Sequence, residues 1–209
     1  MKLEAERIEF AMRMSEWITE GRHVIYFDET TFSPDMHQKK VWYHRGVRFP
    51  MPIRKQAMTK DSKYGFTVYG AVSQCIKNGG FFEVHESSNR DDFCGFMKRL
   101  KKRVRTLPGE QKPICVLDNL SAHKGPDRRE IMNKFCKSEF IPTYSCELNA
   151  PIETLWAILK RRVAPRFTKL IIRGKANKKK LKALVKDELH NKIDKQIYAN
   201  ILRAHYPYI

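Results

Sequence analysis

Three acidic residues carry the most specific chemistry available to this sequence: Asp28, Asp118 and Glu153. Asp118 closes the run Ile114, Cys115, Val116, Leu117, which has no polar face and reads as a strand buried on both sides. Val24, Ile25, Tyr26 and Phe27 run into Asp28-Glu29 in the same way. A carboxylate where such a strand ends emerges at the edge of a sheet, where α/β folds bind ligands and metals. Glu153 stands in LNAPIETLW, a helix-start context. Hard divalent cations prefer carboxylate oxygens. Two ions about 3.5–4 Å apart can activate a nucleophile and stabilise the leaving oxygen of an in-line displacement. The three acids therefore predict a two-metal phosphoryl-transfer site, with Asp28 bridging both ions and Asp118 and Glu153 each holding one. Singly, each acid would read as a surface carboxylate; it is the joint pattern that favours metal binding.

The helix that carries Glu153 must also present Lys160. Seven residues make nearly two turns, so Lys160 falls on the same face as Glu153 and could meet a phosphate backbone entering the site. Arg161 and Arg162 extend that basic surface, although a cation at Arg162 is equally explained as a solvated helix end favoured by the dipole.

Charge agrees with a polyanionic partner. The 209 residues hold 41 Lys and Arg against 23 Asp and Glu, leaving +18. The excess is concentrated in residues 157–192, with thirteen Lys or Arg and only Asp187 and Glu188 as acids. A merely solvated surface balances its signs, so this excess points to nucleic acid. No apolar run approaches the roughly 20 residues that span a bilayer, and the acidic, amphipathic start does not fit a secretory signal. An intracellular protein without a membrane partner is expected: nuclear in a eukaryote, cytoplasmic or nucleoid-associated in a bacterium. Five cysteines without C-x-x-C spacing indicate neither a disulfide framework nor a zinc site.

The elements that must position the acids follow from periodicity. A charged helix is predicted over 2–20 with Gly21 as its stop, then a strand over 24–27. Two short strands are predicted around Trp42 and Phe49, turning at Gly46. The segment 66–74 forms a hairpin with FFEVHE across Gly79-Gly80. A helix over roughly 90–106 carries Phe93, Phe96, Met97, Leu100 and Val104. After the strand into Asp118 come a helix near 126–137, a short strand at Phe140-Ile141 and a helix beginning near Pro151. Helices near 178–191 and 193–204 complete the chain. This order predicts an α/β fold, a ribonuclease-H-like mixed sheet flanked by helices. The expected division is a lead-in helix over 1–23, a catalytic core over 24–165 and a basic helical extension over 166–209.

The phrases VIYFDETTF, VWYHRG, VLDNLSAHKG and IPTYSCELNAPIETLW resemble, in order, the motifs of DDE transposases of the mariner superfamily, including its bacterial insertion-sequence branch. The similarity covers about residues 5–165, and the 34 residues between Asp118 and Glu153 match the aspartate-aspartate-glutamate subgroup. The resemblance implies cleavage at transposon ends, dependent on Mg²⁺ or on Mn²⁺ in its place, followed by transfer of the freed 3′ hydroxyl into target DNA. It implies Glu29, Asn119 and His123 beside the site, Trp42 and Arg45 near the DNA, and a homodimer when DNA is bound.

Two departures stand in the third motif, where Cys146 replaces a proline and Ala150 interrupts an Asn-Pro pair. A loop unable to absorb the extra residue would mis-set Glu153 and bring Glu147 into its place. Residues 1–23 are too few for the helix-turn-helix domains of the family, so a separate DNA-recognition domain or subunit is expected. Arg54, Lys55, Lys160, Arg161, Lys178, Lys179 and Lys180 would give phosphate-backbone binding that is largely blind to sequence. Two other readings stay open: a domesticated DNA-binding or assembly subunit without catalysis, and a structure-selective nuclease of the same fold.

Overall fold

The computed structural model describes residues 2–33, 65–105, 107, 111–118, 126–173 and 175–205, with backbone alone for 126–129, 171 and 172. Trp42, Arg45, Arg54, Lys55, Asn119, His123 and the strands expected around Trp42 and Phe49 lie outside the described residues.

Among the described residues, five strands form one mixed sheet. They are β1 (Val24–Phe32), β2 (Phe66–Val72), β3 (Gly80–His85), β4 (Ile114–Leu117) and β5 (Lys137–Phe140). Their order is β3-β2-β1-β4-β5. The first three pair antiparallel, and β4 and β5 run parallel to β1. Around the sheet are α1 (Lys2–Thr19), α2 (Arg90–Lys101), α3 (Pro126–Asn133), α4 (Ala150–Ile172), α5 (Lys178–Asp187) and α6 (Lys195–His205). The predicted fold class is what the chain adopts.

Strand alternation sorts the core into two layers. Val24, Tyr26 and Phe32 face the helices α1, α4, α5 and α6, joining Phe10, Trp17, Trp156, Phe167 and Tyr198. Ile25 and Phe27 face α2 and α3, joining Phe93, Phe96, Leu100 and Met132. The longest helix, α4, lays Ile152, Leu155, Trp156, Leu159, Val163 and Phe167 along one side, all buried. At roughly 2 kcal/mol per fully buried large apolar side chain, this stripe is a major adhesive between helix and sheet.

The sheet departs from prediction at β1. The strand does not stop at Phe27; it continues to Phe32, so Asp28 lies in its middle. The reason is that β1 has different partners on its two sides. Pairing with β4 covers only Val24 to Tyr26, whereas pairing with β2 runs from Tyr26 to Phe32. The apolar run marks where the parallel half of the sheet ends, and the antiparallel half extends past it. Boundaries elsewhere are shorter than predicted: α2 ends at Lys101 and α3 at Asn133. Between α5 and α6 a π-helical turn spans Glu188–Lys192.

The packing opposite Asp28 is tight. Its cross-strand partner is Gly70 on β2. A Cβ on Gly70 would stand 2.4 Å from Cη2 of Trp156 and 2.8 Å from Cε1 of Phe82. Only a residue without a side chain lets the indole lie against the sheet here. Gly70→Ala is expected to lower stability by about 3 kcal/mol, read as a lower urea midpoint with an unchanged m-value. An unchanged midpoint would show that Trp156 can move aside freely.

Candidate active site

Asp28 is placed by β1 and oriented by α4. The indole Nε1–H of Trp156 donates to Oδ2 of Asp28 at 2.8 Å. Trp156 and Glu153 are three residues apart, so α4 presents the donor and the second acid to the same strand. The register of α4 is fixed by Asn149, which is buried and donates from Nδ2 to the carbonyl of Phe27 at 2.9 Å. That bond joins the last residue of a 3-10 turn, Cys146–Asn149, to the residue directly before Asp28. Ala150 then opens the helix, which puts Glu153 in its first turn. Ala150, the extra residue, is taken into α4 as its first residue.

The loop before that turn is clamped from α1. Arg7 donates from Nε to Ser145 Oγ at 2.8 Å and from its guanidinium to the carbonyl of Tyr144. The same side chain lies 3.7 Å from Glu147, which is exposed. Glu147 is thus directed to Arg7, whereas Glu153 faces the aspartates. At the other end of the chain, His205 Nε2 lies 2.8 Å from Thr154 Oγ1, tying the last turn of α6 to the residue after Glu153.

Asp118 directly follows β4, and the next strand is held in line with it: Ile141 N–H donates to the carbonyl of Leu117 at 2.9 Å. The three acids act on one another electrically. Burial, then the charge of Glu153 and, more weakly, that of Asp118, push the Asp28 carboxyl up to about 7. The backbone N–H of Glu29 and the Trp156 indole oppose that rise. Burial also raises Glu153, with Asp118 adding to the effect and the ammonium of Lys160 opposing it. Lys160 therefore shares the Glu153 face, as the seven-residue spacing predicts. Among the described residues, no group of three or more His, Cys, Asp or Glu closes into a cage around one ion. The three acids are near enough for the charges of Glu153 and Asp118 to act on Asp28.

Glu29 turns away from this cluster. It alternates to the opposite face of β1, where its Oε1 accepts from Ser88 Oγ at 3.2 Å, and its charge adds to burial in raising the Tyr69 hydroxyl. The cations expected at DNA are variously engaged. Lys160 is half-buried, and Arg161 is exposed. Arg162 donates to the carbonyl of Lys192 at 3.2 Å, and Lys178 is 2.7 Å from Glu86. Lys179 is exposed and Lys180 half-buried. Sequence reasoning missed the supporting residues Arg7, Gly70, Asn149 and Trp156. The Trp156 and Glu153 spacing on one helix was the available signal.

The raised Asp28 carboxyl has a signed consequence for stability without metal. Near pH 4 the carboxyl is protonated in the fold and about half ionised in the unfolded chain, so the difference there is small. Between about pH 4 and pH 7 the unfolded chain loses a proton that the fold retains, so stability falls as pH rises. The penalty above pH 7 approaches about 4 kcal/mol. In chelator, Asp28→Asn should therefore raise Tm at pH 8 by several degrees and leave it nearly unchanged at pH 4. Equal effects at both pH values would show that Asp28 ionises normally.

Comparison with known proteins agrees with this geometry. Residues 23–173 match the family described as DDE superfamily endonuclease. No curated protein matches the chain. Among solved structures, the Mos1 transposase paired-end complex with left transposon end superposes at TM-score 0.62 and 16% identity, covering 96% of this chain and 58% of the other. The Mos1 mariner paired-end complex with Mn gives 0.64 and 13%, with the same coverages. The catalytic domain of Mos1 mariner transposase gives 0.57 and 11%, covering 97% and 88%. The chain thus spans 58% of the transposase chain in the paired-end complexes and 88% of the catalytic domain. Its fold is the ribonuclease-H-like fold of that domain, and, with well over half its length matched, the chain belongs to the DDE superfamily endonuclease family.

Proposed function

We propose that the protein is a DNA transposase catalytic unit that cleaves phosphodiester bonds at transposon ends and transfers the freed 3′ hydroxyl into target DNA. The observation that carries this reading is the meeting of Asp28, Asp118 and Glu153 from three separate elements, close enough for the charges of Glu153 and Asp118 to raise Asp28 and for that of Asp118 to raise Glu153. A purely structural protein gains nothing from three repelling carboxylates at one place. Family membership and the likeness to Mos1 assemblies, one of them a strand transfer complex, support the same reading.

The donor set suits a hard divalent cation, being all carboxylate oxygen. Asp28, Asp118 and Glu153 are the residues that would hold it, and the structures of Mos1 with Mn and with Mg support such a use. Bound there, Mg²⁺ or Mn²⁺, in our proposal as two ions, would activate the attacking oxygen and offset charge on the leaving oxygen. The chain's own residues do the rest. Trp156 fixes one carboxylate oxygen of Asp28, so the other points to the site in a set direction. Asn149 holds the start of α4 and hence the height of Glu153 over β1. Lys160, with Arg161 beyond it, would receive the phosphate backbone. In cleavage, water oxygen bonds to phosphorus while the 3′ oxygen leaves and takes a proton. In transfer, the oxygen of that hydroxyl gives up its proton and bonds to a target phosphorus, while the target's own P–O3′ bond breaks and its 3′ oxygen leaves and takes a proton.

The same proposal takes residues 24–165 as the catalytic core, with 1–23 and 166–209 as lead-in helix and basic extension. It places the protein on DNA as a homodimer inside the cell, with end recognition supplied by a separate domain or subunit.

Asp118→Asn is expected to reduce metal-dependent cleavage of duplex DNA by at least about a hundredfold, while DNA affinity in chelator changes by less than about twofold. Undiminished cleavage would remove the carboxylate-metal account. Lys160→Glu should weaken DNA binding and make the slope of log affinity against log salt shallower by about one. Anisotropy titrations at several salt concentrations read this directly.

A further inference from the structure

We propose a second DNA-backbone site, on the far side of the sheet from the acids, built by the end of α2 and the turn between β2 and β3. Residues 98–105 read KRLKKRVR, six cations without an acid. The chain fixes this segment against the turn. Lys77 N–H donates to the carbonyl of Arg103, and Arg105 N–H donates to that of Cys75, both at 2.9 Å. Ile76 and Val104 form a bridge between the two segments. The result is an open concavity of roughly 390 Å³ lined by Lys77, Phe81, Glu83, Arg99, Lys102 and Arg103.

Its charge is lopsided and partly pre-set. Glu83 is the only carboxylate in the lining, and it is taken by Arg99, with contacts of 2.5 and 2.6 Å. Arg103 lies over the ring of Phe81 at 5.7 Å from its centroid. Lys77, Lys102 and Arg103 are exposed, and after Arg99 is balanced by Glu83 they leave three positive charges. Phe81 is the one apolar group in the lining, and it lies under a guanidinium. A protein partner would need an apolar centre to the contact, whereas a phosphate backbone needs only cations.

This surface cannot belong to the same footprint as the acids. Asp28 faces α4, while Phe81 packs in the layer of α2 and α3. Helix α2 also runs away from the acid edge. It starts beside Ser88 and Asn89, which touch Glu29 and Tyr69, and its twelve residues carry the chain about 18 Å further. A duplex on the acids would have to pass around the sheet to reach Lys102. The ligand is therefore a separate duplex segment, held by its phosphates and independent of its sequence.

The test is the stoichiometry of a short duplex of about eight base pairs, titrated calorimetrically in chelator, together with the salt slope. Wild-type protein should take up two duplexes per chain. Lys102→Glu with Arg103→Glu should take up one, with a total salt slope reduced by about two. Asp118→Asn should keep both events, which separates this site from the reading of the acids as catalytic. Lys102→Gln with Arg103→Gln removes charge without adding repulsion and serves should the glutamate pair fail to fold. A single event in wild type, or two events retained in either folded variant, overturns the proposal.

Discussion

The contact on which this structure turns is an indole laid across a glycine to reach a carboxylate. Trp156 can donate to Asp28 only because Gly70, opposite it on β2, has no side chain to fill the same space. That packing sets the rotation of α4 over the sheet. Rotation in turn decides where Glu153, one turn earlier, and Lys160, one turn later, stand relative to β1. One close contact thus couples the core to the geometry of the acids.

The remaining restraints act on the same helix. Asn149 ties its start to β1, Arg7 ties the preceding loop to α1, and His205 meets Thr154 from α6. Elements distant in sequence all converge on the first turn of α4. The cost of the arrangement is visible in Asp28, whose carboxyl is pushed up to about 7 by burial and by neighbouring acids. Groups held against their own ionisation mark places where the fold serves chemistry rather than stability.

The basic excess is distributed rather than pooled. Arg166, Arg162 and Lys192 surround Asp187 and the buried Glu188, so part of the charge in 157–192 fastens α4 to α5 and the π turn. Lys178 and Lys182 meet Glu86 on the far end of β3. A count of cations therefore overstates the surface free to meet phosphates in that stretch. At the end of α2 the run KRLKKRVR holds six cations, of which Arg99 is paired with Glu83 while Lys102 and Arg103 stand exposed.

Local chemistry was enough to reveal much of this molecule. The apolar run into Asp118, the hairpin at Gly79-Gly80 and the 3.6-residue stripe of α2 each follow from neighbours in sequence, because strand and helix periods are local properties. The seven-residue step from Glu153 to Lys160 is legible for the same reason. Tertiary structure alone decided that β1 continues past Asp28, since that depends on β2 outlasting β4 as a partner. It also decided that Glu147 goes to Arg7 and that Glu29 faces away from the acids, choices set by packing on other elements. The use of Asn149, Gly70 and Trp156 was hidden because each acts across more than 40 residues of chain, where no sequence period can reach. The sequence by itself determined which residues could do chemistry; only the tertiary contacts determined which of them meet.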